Sequence, residues 1–151
     1  MPTLHLICGL PGSGKSTLAA RLAGREGTVW LSPDQWMMRI VGDPYDARRR
    51  AAVEQVQWEL AQQLLRLGID VVLDNGFWSR SERDRLREAA GQLGARTKLH
   101  FLDVPLPELA RRVAARNEAS PPGAIAISEE DLAAWAGLFE PPGPDELASG
   151  T

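Results

Sequence analysis

Cysteine is nearly absent from the sequence, with Cys8 the only one in 151 residues. A lone cysteine cannot close an internal disulfide, so a disulfide framework is excluded and a reducing cytoplasm is the expected setting. An excess of positive charge is missing too. With 17 Lys and Arg against 20 Asp and Glu, and a formal net charge of -3, broad sequence-independent nucleic-acid binding has no electrostatic footprint. Nucleic acid stays open as a partner only through a local basic patch, and the run Arg48-Arg49-Arg50, near Tyr45, Trp36 and Trp58, is either a site for an anionic or ring-bearing ligand or a solvated face. No apolar run approaches the roughly 20 residues that span a bilayer, and the N-terminus enters an apolar strand without a basic leader, so neither a membrane nor an export signal is expected. No Cys and His cluster has metal-ligand spacing.

What is present is the composition of a folded globular chain, 44% hydrophobic and 25% charged, and its length suits a single domain over residues 1–151. Thr3 to Leu10, Val29 to Leu31, Ile69 to Leu73 and Thr97 to Val104 are short apolar runs that predict strands covered on both faces. Between them, apolar residues at helical spacing predict helices over Lys15–Arg25, Gln35–Val41, Asp46–Leu67, Ser81–Leu93, Pro105–Asn117 and Ser128–Leu138. Glu118 to Ile127 reads as a loop, and the Pro-rich tail 141–151 as irregular. Alternating strands and helices predict a three-layer α/β/α fold, with a parallel sheet of four or five strands, helices on both faces and a short lid at about 117–128.

The strongest local signal is Gly9-Leu10-Pro11-Gly12-Ser13-Gly14-Lys15-Ser16-Thr17, which meets G-x-x-x-x-G-K-[ST] where a strand ends and a helix opens. Gly12, Ser13 and Gly14 let successive backbone N–H groups face phosphate oxygens at a helix N-terminus. Lys15 supplies a point charge for the β- and γ-phosphates, and the Ser16 hydroxyl is placed to join a Mg²⁺ shell, with Thr17 the adjacent, weaker candidate. With this motif the three-layer α/β/α fold is expected to be of the P-loop NTPase kind; no Asn-Lys-x-Asp segment offers to read guanine, so ATP and Mg²⁺ are the expected cofactors.

Carboxylates and arginines must name the reaction, because motors, switches and kinases share this cradle. Asp34, just past the second strand, is either the base that accepts an acceptor hydroxyl's proton or the N-cap of the next helix. Asp74 ends the third strand, either as an acid holding Mg²⁺ or as a turn residue before Asn75-Gly76. Arg112 and Arg116 share one helix face, turned either to phosphate or to solvent. His5 and His100 lie in apolar strands and read as core histidines, and Cys8, with no base partner, as packing.

Leu31-Ser32-Pro33-Asp34, Val71-Val72-Leu73-Asp74-Asn75, Ser81-Glu82-Arg83 and the stretch from Asp103 to Arg116 extend the pattern beyond the cradle. In this order they resemble the small P-loop kinases grouped with bacteriophage polynucleotide kinase, zeta toxins and chloramphenicol phosphotransferase. The resemblance covers nearly the whole chain. It implies that Asp34 is the general base and that Arg112 and Arg116 belong to a lid contacting ATP phosphates. There is one departure. Met37 stands where polynucleotide kinases carry an arginine for the acceptor's phosphate, with Arg39 the nearest substitute, and Trp36, Met37, Met38 and Trp58 give the acceptor-lining region from Gln35 to Trp58 an apolar flavour. The expected activity is an ATP-dependent kinase acting on a hydroxyl of a small molecule such as a metabolite, nucleoside or antibiotic. The alternatives are a 5'-hydroxyl polynucleotide kinase, a toxin acting on a nucleotide-sugar, and a non-catalytic ATP-binding regulator.

Overall fold

The computed structural model describes residues 1–120 and 126–148. Four strands, β1 Thr3–Cys8, β2 Thr28–Leu31, β3 Asp70–Gly76 and β4 Arg96–Phe101, form one sheet in the order β2-β3-β1-β4. Every pairing is parallel. Between them run α1 Lys15–Ala23, α2 Pro33–Trp36, α3 Ala47–Arg66 and α4 Arg80–Gln92, and after β4 come α5 Leu106–Ala119, α6 Glu129–Leu138 and α7 Pro144–Ala148.

Side-chain alternation along the strands divides the core. Leu4, Leu6, Leu31, Val71 and Leu73 join Ala61 and Leu65 of α3 and Leu86 and Ala90 of α4 on one face. The intervening Ile7 and Val72 meet Ala19 and Leu22 of α1 on the other. A sheet buried on both sides reads as continuous apolar strands, as the sequence does. A third cluster, Leu109 and Val113 of α5 with Leu132 of α6, takes in Leu10 from the loop after β1. This cluster seats α5 beside that loop.

Three local features differ from the sequence-based expectation. The helix expected over Gln35–Val41 starts earlier and changes pitch: α2 gives way to a π-helical turn, Met37–Val41, closed by Gly42 N donating to Met37 O at 2.8 Å. Ser32 caps α2 by accepting from Gln35 N at 3.2 Å, and Pro33 supplies the preset first-turn φ. Second, the tail expected to be irregular carries α7. Its start is fixed by Gly143 N donating to Glu146 Oε2 at 2.8 Å, and Arg83 Nε donates to Glu146 Oε1 at 2.8 Å with both side chains wholly buried. Residues 149–151 of that tail lie outside the described residues. Third, α5 continues through Ala119 into the stretch expected to be a lid, of which 121–125 lie outside the described residues. On either side of them Asn117 Nδ2 donates to Ile127 O at 2.7 Å and Ile127 N donates to Asn117 Oδ1 at 3.1 Å.

Candidate functional site

The site is assembled at the C-terminal ends of the parallel strands, where an α/β sheet gathers its loops. After β1 the chain turns through Gly12 and Gly14, at φ +85° and +98°, a region costly for any residue with a Cβ. Space at Gly12 is tight as well: a Cβ there would sit 3.1 Å from Val113 Cγ2, so that methyl would have to give way by a few tenths of an ångström. At Gly14 a Cβ would meet nothing within 4 Å, so only conformation demands glycine. Gly14 precedes α1 with no side-chain cap and no acid in the first turn. The first amides of α1 therefore face outward as uncompensated donors, the condition under which a helix end takes an anion. Ser16 and Thr17 are exposed on this turn, and Ser13 is buried with its Oγ unpartnered.

Lys15 Nζ donates to Leu10 O at 3.0 Å, folding the lysine back over its own loop. Burial lowers its pKa, while the charges of Asp34 and Asp74 raise it part-way back, so both acids lie within its field. Asp74 is only 6% exposed and its Oδ1 has no hydrogen-bond partner. Burial pushes its carboxyl up; the indole N–H of Trp30, itself without a bonded partner, draws it down, and the Asp34 charge pushes it up again. A buried, under-satisfied carboxylate beside an exposed serine hydroxyl fits a hard cation. Among the described residues no group of three His, Cys, Asp or Glu could hold a metal alone, so a cation here would draw further ligands from phosphate and water.

Asp34 sits in the first turn of α2, but Ser32 does the capping, so the Asp34 carboxylate is not committed to the helix end. Its Oδ1 accepts from Arg50 Nη1 at 2.7 Å, and its side chain is 62% exposed at the mouth of the site. Arg50 Nε in turn lies 3.6 Å from Glu54 Oε1, one turn on along α3. Arg112 Nη1 donates to Gly12 O at 3.2 Å and its Nε to Glu108 Oε1 at 3.0 Å, which fixes it against the glycine loop. Bonds from Arg111 and Arg112 hold the Glu108 carboxyl down to about 2. Arg116 is exposed and its charge reaches Lys15. Lys15, Asp34, Asp74 and Arg116 are thus gathered around one opening, and Arg112 borders it through Gly12.

Other expectations resolve differently. Met37 is fully buried in the core, so it offers no apolar surface to an acceptor. His5 and His100 serve each other, with Nδ1 and Nε2 2.9 Å apart, and Cys8 is buried, its thiol pushed up to about 11 by burial. The basic run at Arg48 to Arg50 did not single out Arg50 as the partner of Asp34. The signal was the helical spacing of Arg50, Glu54 and Gln57, which places three polar groups along α3 beside the buried Ala61 and Leu65.

A family model described as an AAA domain matches residues 4–142. No curated protein matches the chain in sequence. Among solved structures, a chain from a Pnkp1/Rnl/Hen1 RNA repair complex superposes with a TM-score of 0.71 at 20% identity, covering 91% of this chain and 43% of that one. A gluconokinase from Sinorhizobium meliloti 1021 gives 0.65 at 22% identity over 95% of this chain and 78% of its own. A sugar kinase from Janibacter sp. HTCC2649 gives 0.67 at 21%, covering 97% and 82%. The chain spans only 38% and 43% of the two RNA-repair chains it matches. At such identities these neighbours establish the fold. The family match runs over nearly the whole chain and includes the glycine loop and the strand ends around it: the protein belongs to the AAA domain family of P-loop kinases.

Proposed function

We propose that the protein transfers the γ-phosphoryl group of ATP to a hydroxyl of a small-molecule acceptor. The observation that carries this reading is the placement of Lys15 within the fields of both Asp34 and Asp74, with Asp34 at the open edge and Asp74 in the floor. A nucleotide switch has no use for an exposed carboxylate across from the phosphate-binding lysine. A kinase does, because the acceptor hydroxyl must be oriented and relieved of its proton.

In this reading the amides around Gly12 to Ser16 and the Lys15 ammonium hold the β- and γ-phosphates. The hydroxyl oxygen of the acceptor bonds to the γ-phosphorus as the bond to the β,γ-bridging oxygen breaks, its proton passes to Asp34, and ADP leaves. Arg50 holds the Asp34 carboxylate through Oδ1, and among the described residues no hydrogen bond engages Oδ2. Ser16 and Asp74 would hold Mg²⁺, which when bound neutralises developing phosphate charge. Arg112 and Arg116 border the phosphates from α5 and add positive charge where the leaving group develops its own.

Mass spectrometry of a pooled panel of hydroxylated metabolites, nucleosides, antibiotics and 5'-hydroxyl oligonucleotides, incubated with Mg-ATP, tests this. A product heavier by one phosphoryl group, present with wild type and absent with Asp34→Ala, is expected. Tight ATP binding with no phosphorylated product from any acceptor class would favour a regulator instead.

A further inference from the structure

Linked to Asp34 through Arg50 and Glu54 is a cleft of about 160 Å³ between α3, α4 and the end of β3, lined by Glu54, Gln57, Trp58, Asn75, Glu82 and Arg85. Its wall is built for a ligand. Gln57 is 1% exposed, yet neither its Oε1 nor its Nε2 has a hydrogen-bond partner, and Asn75 Oδ1 is likewise buried and unpartnered. A buried amide left unmet destabilises the fold relative to a satisfied one, so two such groups on one cleft mark a place where something else completes them.

The charge on this wall is largely of one sign. When ionised, Glu54 and Glu82 only accept, and Asn75 has its unmet group in an acceptor oxygen, while Gln57 offers both an unmet acceptor and an unmet donor. Ser79 accepts from Glu82 N at 3.1 Å to cap α4, but among the described residues no bond engages the Glu82 carboxylate, which stands in the cleft. Burial pushes the Glu54 carboxyl up; Arg50 opposes this, and the Glu82 and Asp34 charges add to it. Of the lining groups only exposed Arg85 is cationic. Such a wall welcomes hydrogen-bond donors and repels anions. The cleft is smaller than the roughly 300–1,000 Å³ typical of drug-sized ligands. It connects to the reacting centre through Arg50, which bonds Asp34 and neighbours Glu54.

We infer that this cleft seats the acceptor and selects a small polyol of monosaccharide size bearing no negative charge, in preference to a sugar acid, a sugar phosphate or a phosphate-bearing end. This rests on the kinase reading for what happens to the ligand, not for its binding. Trp58 gives the C–H face of such a compound an apolar wall, while the carboxylates and amides take its hydroxyl protons.

The test is calorimetric or ligand-observed NMR binding of the full chain to matched sets: neutral polyols and sugars, amino-polyols, sugar acids and sugar phosphates. These are measured with a non-hydrolysable ATP analogue and Mg²⁺ present. Expected is binding of neutral or amine-bearing polyols at least tenfold tighter than of their anionic counterparts, with the two uncharged and cationic arms deciding which source is preferred. Gln57→Leu should weaken that binding at least tenfold while keeping or raising Tm and leaving analogue affinity unchanged, because it removes an unmet amide without changing bulk. Glu82→Gln should narrow the discrimination against anions. Anions binding as well as neutral polyols, or polyol affinity indifferent to Gln57→Leu, would overturn the assignment. Phosphoryl transfer to some other acceptor class would overturn it while leaving the kinase intact. A polyol bound at the cleft and never phosphorylated would support the cleft and sink the kinase instead.

Discussion

Arg50 donates to Asp34 across 16 residues of sequence, at 2.7 Å, and the same guanidinium lies 3.6 Å from Glu54. One arginine therefore ties the carboxylate beside the phosphate-binding lysine to the wall of the neighbouring cleft. Asp34→Asn keeps the shape and removes the proton acceptor. It should lower kcat about 10²- to 10⁴-fold, the usual worth of a positioned base, with nucleotide affinity nearly unchanged. Arg50→Met should lower kcat less and raise the acceptor KM. Steady-state kinetics on the acceptor returned by the panel, with nucleotide titration alongside, checks both. Equal loss of nucleotide affinity in Asp34→Asn and Lys15→Ala would remove Asp34 from the acceptor side.

Asp74 should carry a cost in the absence of ligand. Its carboxyl is raised by burial, so in the folded state it holds its proton to higher pH than in the unfolded state. The folded form binds more protons through that window, and stability therefore falls as pH rises across it. Asp74→Asn should raise Tm at pH 8 without nucleotide or divalent cation, raise it less near pH 4, and reduce phosphoryl transfer. Thermal denaturation at the two pH values decides. A lower Tm for the variant at pH 8 would mean that the carboxylate is satisfied by the protein itself.

The His5 and His100 pair predicts acid sensitivity with the opposite slope. Burial lowers both, and the neighbouring His5 helps take His100 down to about 4. Between that value and the usual 6.5 the unfolded chain binds a proton the folded chain refuses, so stability is lost as pH falls below 6.5. At about 1.4 kcal/mol per unit, and discounted for partial exposure, the loss from pH 7 to pH 5 should be about 1–2 kcal/mol by urea unfolding. In His100→Gln that decline should flatten.

How much of this was legible from sequence depends on the residue. The glycine loop, Lys15 and the strand ends were readable because each needs a local pattern: a spacing, a glycine, an apolar run. The sheet followed from alternation. Asp34 was readable as a candidate but not as a free carboxylate, since only the structure assigns the cap to Ser32. Met37, by the resemblance, takes the place of an acceptor-binding arginine three residues after Asp34. The π-helical turn places it in the core instead, a change of pitch that no propensity signals. The tail misled for another reason. Pro141-Pro142-Gly143-Pro144 is loop chemistry, and what orders it is a partner 63 residues away, Arg83.

That partner gives a further prediction. Arg83 and Glu146 are both fully buried, and Arg83 Nη1 also donates to Phe77 O at 2.8 Å. Glu146→Ala strands the guanidinium and should cost about 3–5 kcal/mol. The double change Arg83→Met with Glu146→Leu should recover most of it. Chemical denaturation of Arg83→Met, Glu146→Leu and the double variant measures the coupling; additive losses in the double variant would show that the two side chains act independently.

The end of β3 gives neighbouring residues different destinations. Pairing of β1 with β3 slips by one residue between Leu6 and Cys8. Within that slip Asp74 lies in the field of Lys15 while Asn75 lines the cleft. Two adjacent codons therefore serve two compartments, and which residue serves which depends on counting. Substitutions here change one compartment at a time. An inserted or deleted residue between Leu73 and Gly76 would exchange the outlooks of both, because a shift by one turns every later side chain to the other face. Across homologues this short segment should vary in letters and hold its length.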